Sequence, residues 1–147
     1  MRMKALTTTL SFMLVLAANS PLYAQPSPAQ TAGEEAVRRQ ANIINLRNVL
    51  LEAQRAEAQG DLVNAARLYE EAWDLVESIG VGIEKERAET VAGFTAVRLE
   101  LAKSAKKRGD LIEADKQVTR ILRIDPKSIL ALSFKQENDK ALDAQKG

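Results

Sequence analysis

Two groups of carboxylates carry the spacing that chemistry could use. Glu70, Glu71 and Asp74 fall close together in one helical stretch, and Asp110 stands three residues before Glu113. Such groups serve as general acid and base, or as ligands for a metal ion. Their usual helpers are missing, because the chain contains no histidine and no cysteine. That removes the commonest general base and the commonest metal ligand together. There is no glycine-rich phosphate loop either. Helix capping and surface charge account for both groups, so the chain is read as a non-enzyme without cofactor or metal.

Binding is the remaining option, and two features invite it. Lys103, Lys106 and Lys107 form a basic cluster that an acidic protein segment would meet. Bases at the end of a helix also complement its dipole, which is the plainer account of them. Trp73 is the only tryptophan. Packing between helices is its expected role, and a partner hot spot is the alternative.

The first 24 residues read as an address. Arg2 and Lys4 open it, a mostly apolar run covers Ala5 to Ala18, and Leu22-Tyr23-Ala24 offers a cleavage point before Gln25. Charge, apolar run and small residue in that order make a secretory signal peptide. The run falls short of the ~20 apolar residues of a membrane span. Leu22 is large for its place before the cut, which keeps an uncleaved anchor as the alternative. Without cysteine, a lipid-modified mature N-terminus is excluded.

Cleavage after Ala24 leaves 123 residues, enough for one small domain. It removes two of the 21 basic residues and none of the 20 acidic ones, for a net charge of −1. That balance argues against a nucleic-acid partner, which calls for a basic excess. The fold must also hold without disulfides.

Helical spacing dominates the rest, with no strand-like alternation, so the domain is all-α. Residues 25–33, rich in proline and small polar residues, read as a flexible linker. The domain itself is placed at 34–145. Helices are expected at about 34–58, opened by Glu34 and Glu35, then 62–78, 83–107, 111–124 and 127–144. Val37, Ala41, Ile44, Val49, Leu50, Ala53 and Ala56 mark the apolar positions of the first. The fifth should cap the stack with its apolar first half and turn Lys135 to Lys140 toward water.

Two stretches 49 residues apart repeat one pattern. Leu50-x2-Ala53-x2-Ala56-x3-Gly60-Asp61-Leu62-x2-Ala65 returns as Leu99-x2-Ala102-x2-Ala105-x3-Gly109-Asp110-Leu111-x2-Ala114. Small residues at helical spacing, a Gly-Asp turn and an early alanine spell an antiparallel helix pair, written twice. With Ala65-x3-Tyr69 and Ala114-x3-Val118 in the second helices, and Asp125-Pro126 closing the second unit, the chain resembles the tetratricopeptide repeat. The match covers 49–77 and 98–126 well. The period is longer than the family's ~34 residues, with the excess in first helices of roughly 25 residues. Glu77 stands where the first unit would have its closing proline, and both units lack the family's early aromatic.

The resemblance implies a solenoid of two units, about 34–78 and 83–126, with a capping helix at 127–145. It implies that the long overhangs, 34–48 and 83–97, pack side by side. It further implies a peptide-holding groove lined by first helices. Matching positions are Arg47, Leu50, Gln54 and Glu57 in the first unit, then Leu99, Glu100, Lys103, Lys106 and Lys107 in the second. Leu130 and Phe134 of the fifth helix complete it. Some relatives grip a C-terminal carboxylate with a Lys/Asn/Arg clamp; here Leu50, Gln54 and Phe134 occupy those places, so the clamp is absent. The expectation is a periplasmic scaffold module that binds another protein or peptide segment and meets a membrane only through an envelope partner. Secretion or outer-membrane assembly is the expected setting, as in the N-terminal module of a longer secretin-like protein. Self-association through the overhanging helices and carriage of a small apolar ligand are the alternatives.

Overall fold

The computed structural model describes residues 28–146, and the expected signal peptide and cleavage site lie outside them. Among the described residues the chain is all-α. It runs α1 (Pro28–Ala58), α2 (Leu62–Ile79), α3 (Glu84–Lys107), α4 (Leu111–Ile124) and α5 (Ile129–Lys146). Each helix packs on the next, α1 also touches α3, and α3 also touches α5. No described helix is long and apolar enough to cross a membrane.

The two Gly-Asp turns fold alike because their side chains demand the same geometry. Gly60 and Gly109 take φ of 77° and 80°, a left-handed conformation costly to any residue with a Cβ. Each lets the chain double back: Asp61 N donates to Ala56 O at 2.9 Å and Asp110 N to Ala105 O at 3.0 Å. These bonds satisfy carbonyls that a helix end would leave bare. The aspartates then cap the following helices, accepting from Asn64 N at 3.2 Å and Glu113 N at 2.9 Å. Asp110 and Glu113 thus belong to a cap.

One core runs through the stack. Leu46, Val49, Leu50, Ala53 and Ala56 of α1 meet Ala65, Leu68, Tyr69, Ala72 and Val76 of α2. Phe94, Val97, Leu99 and Ala102 of α3 continue it to Val118 and Ile121 of α4, then Ala131 of α5. Buried alanines at the turns let the helix axes approach closely.

Four expectations need correction. α1 starts six residues early, so 28–33 are helical where a linker was expected, while 25–27 lie outside the described residues. Proline is favourable at a first helical position, where its missing N–H costs no bond. Val37 and Ile44 of α1, expected in the core, are exposed, as is Ala41. The overhangs touch without packing along their length: Arg47 pairs with Glu86 at 2.8 Å, and α3 rests mainly on α2. Finally, α5 docks through Ser128, Ala131 and Asn138, leaving Ile129, Leu130 and Leu132 exposed. Asn138, expected to face water, is fully buried and donates to Leu111 O at 2.8 Å.

Candidate functional site

The expected groove residues divide between two open depressions. Arg47, Leu50 and Gln54 line the first, of about 320 Å³, where the middle of α1 faces the start of α3. Arg47 there donates to Glu86 at 2.8 Å. That hydrogen bond holds the Glu86 carboxyl below the usual carboxylate range. The position of Glu86 in the first turn of α3 is also favourable for an anion.

Lys103, Lys106, Lys107 and Phe134 line the second depression, with Glu137, in about 410 Å³ between α3 and α5. Lys106 Nζ stands 5.2 Å from the centre of the half-buried Phe134 ring and 3.4 Å from Glu137. Lys103 reaches Glu100 at 2.7 Å. On the far flank of α5, Asp115 accepts from Lys135 at 2.7 Å, and this bond raises the Lys135 ammonium above its ordinary range.

Four expected groove residues, Glu57, Leu99, Glu100 and Leu130, line neither depression. Leu99 is buried. Glu57 accepts from the Tyr69 hydroxyl at 2.8 Å, and burial, reinforced by this carboxylate, pushes that phenol above its ordinary range. Tyr69 in turn lies against Gly93, where no side chain intervenes.

The sequence reading missed a third feature, a cleft of about 420 Å³ between α2 and α4. The backbones of those two helices stay apart, and α3 forms the floor between them. At its base Arg98 is 3% exposed, an unusual place for a guanidinium. It donates to Gln117 at 2.7 Å and to Glu70 at 2.8 Å, while its Nε is buried without a hydrogen-bond partner. Desolvation by burial lowers its pKa, and Glu70 opposes that shift. A charged residue set between Val97 and Leu99 on an apolar face was the available signal.

Most of the acidic residues noted in the sequence therefore have structural partners. Glu70 accepts from Arg98 and lies 3.5 Å from Arg120, and Glu71 pairs with Arg67 at 3.2 Å. Among the described residues no group of histidine, cysteine or carboxylates is placed to hold a metal ion. Trp73 is half-buried at the end of the α2–α4 cleft, with Arg87 over its ring at 5.5 Å. What these surfaces offer is shape, charge and aromatic faces for a ligand. Compared with protein-family models, curated proteins and solved structures, the chain finds no match among any of the three.

Proposed function

We propose that this chain is a non-enzymatic protein-interaction module, built as a tetratricopeptide-like stack and exported to the periplasm of a double-membraned bacterium. Its ligand is an acidic, partly apolar segment of another envelope protein. The depression of Lys103, Lys106, Lys107 and Phe134 is the site. The observation that carries the reading is the pairing of an accessible aromatic face with three ammonium groups at one helix end. The ring supplies contact area at small entropic cost, and the lysines attract carboxylates over about the Debye length of ~8 Å. The repeated Gly-Asp hairpins supply a scaffold of the kind that presents surfaces.

The test uses a synthetic peptide alternating glutamate with leucine and a fluorescent label. The wild-type protein should bind it with an affinity that weakens as salt rises. A Lys103/Lys106/Lys107→Glu variant should keep its helical spectrum, melt somewhat lower for want of the pairs to Glu100 and Glu137 and of bases at the helix end, and lose the binding. Equal affinity in the reversed variant would place binding elsewhere. Export is checked separately, by finding Gln25 as the N-terminal residue of the protein in the periplasmic fraction.

A further inference from the structure

We infer that the outer face of α1 is a homotypic docking surface, on which a second copy of this chain lays its own α1 in parallel and in register. The helix carries two opposed apolar faces. One is spent on the core through Leu46, Val49, Leu50, Ala53 and Ala56. The other bears Val37, Ile44 and Leu51, exposed at 72, 53 and 51%. These three stand seven residues apart, with Ala41 and Asn48 between them, also exposed.

Spacings of four and three in alternation are those of a coiled-coil seam. With Val37, Ile44 and Leu51 at the d positions, Ala41 and Asn48 fall at a. The core-facing residues then fall at b, c and f, away from the seam, whose last residue, Leu51, also edges the depression between α1 and α3. Before Arg39, which bonds to Val81 O at the α2–α3 connection, α1 projects past its neighbours. A projecting helical segment of about 11 residues is marginal in water unless something packs on it.

The repeat itself argues that this face is one to be covered. Shifted by 49 residues, Val37, Ala41, Ile44 and Asn48 become Glu86, Thr90, Gly93 and Val97. In α3 that face lies against the preceding hairpin, with Glu86, Thr90 and Val97 buried. For α1 no preceding hairpin exists among the described residues.

Self-complementarity selects a second copy as the cover. In a parallel pair each d residue meets its own counterpart, and Asn48 faces Asn48 of the partner subunit. An asparagine pair at an a position is a known means of fixing parallel register. Arg47 at g faces the e position five residues on, which is Glu52, giving two symmetric ion pairs. Arg47 has donors to spare beyond the one given to Glu86. The seam from Val37 to Leu51 covers two heptads in a strip ~22 Å long, and the pair would bury on the order of 500 Å², well below the ~1,200 Å² where stable interfaces begin. The dimer is therefore reversible. It stands apart from the Lys103–Phe134 site, so charge reversal there leaves it intact.

Sedimentation velocity over a concentration series tests the proposal on the purified protein. Wild type should pass from monomer to dimer as concentration rises. Ile44→Asp should remain monomeric and match the helical spectrum and melting temperature of dilute, monomeric wild type, because residue 44 is exposed. Asn48→Ile should tighten association by about tenfold or more, since the polar layer costs stability. The chain has no cysteine, so Ile44→Cys introduces one thiol, which should cross-link its dimer under mild oxidation; Ile112→Cys should not. A monomer at every concentration overturns the proposal, whether or not it binds anionic vesicles. So does a dimer that survives Ile44→Asp and is lost in Leu130→Asp, since that is head-to-tail stacking through α5. A dimer without the 44–44 cross-link overturns the parallel register.

Discussion

Ile44 and Gly93 occupy the same place in two copies of one helical hairpin, and nearly everything around them differs. Their helices end in the same turn, with the same left-handed glycine and the same capping aspartate. Their shared face is buried alike, through Val49, Leu50, Ala53 and Ala56 in α1 and Arg98, Leu99, Ala102 and Ala105 in α3. The opposite face is where they part. Ile44 is 53% exposed, whereas Gly93 lies under the Tyr69 ring, so close that a Cβ would stand 2.1 Å from Tyr69 Cζ. Local code sets the hairpin; position in the stack sets which face needs a partner. An inner helix must be apolar or small on two sides, while an end helix is answerable to its neighbour on one.

The sharpest way to break that contrast is to place one methyl group at each position. Gly93→Ala should cost ~3 kcal/mol, because the added carbon displaces Tyr69 and with it the bond to Glu57. Ile44→Ala should change stability by less than ~0.5 kcal/mol, as at other exposed sites. Chemical denaturation of both variants measures the difference, and similar values would mean that α1 and α3 are not differently placed. Replacing Tyr69 by alanine in the Gly93→Ala background should recover part of the loss, since neighbouring sites are not additive.

Where the units are alike, equal costs are expected. Gly60 and Gly109 both have open space where a Cβ would go, so alanine at either is penalised by backbone conformation alone, ~1–2 kcal/mol. Thermal melts of Gly60→Ala and Gly109→Ala should fall by similar amounts. A large gap between them would show that the two turns differ in ways that their matched bonds do not reveal.

The smallest effect is a pH dependence at one pair of equivalent positions, Val37 and Glu86. Only the second titrates. Its carboxyl is held below the ordinary range by Arg47, so the folded state favours the ionised form. The stability this contributes is present above the unfolded value of ~4.3 and is lost as pH falls through the lower folded value. Glu86→Gln should therefore flatten the acid limb of a stability–pH curve, and an unchanged limb would show that the pair contributes nothing there.

Helix positions and turns were legible because their causes are local. Glycine before aspartate, acids at the head of α3 and bases at its tail act within a few residues of themselves. The start of α4 and both hairpin turns were read where they stand. The early start of α1 was hidden by residues of low helix preference, including Gly33, which a long helix tolerates. The candidate site was legible only in part. The lysines and Phe134 come together between α3 and α5, whereas Glu57 serves Tyr69 and Leu99 is buried. Sequence spacing names the residues on one helix face without saying what the next helix does to them.

By itself the sequence determined the all-helical class, the two Gly-Asp hairpins and the absence of histidine and cysteine chemistry. Each depends on residue type or on neighbours along the chain. Tertiary structure alone decided that Gly93 makes room for Tyr69, that Arg98 is buried beneath the α2–α4 cleft, and that Asn138 turns inward to Leu111. It also decided that Val37, Ile44 and Leu51 face outward. The physical reason is that periodicity shows a helix to be apolar on a face, but burial is a relation between two surfaces. The second surface comes from a helix elsewhere in the chain, or, for α1, from none of the described ones.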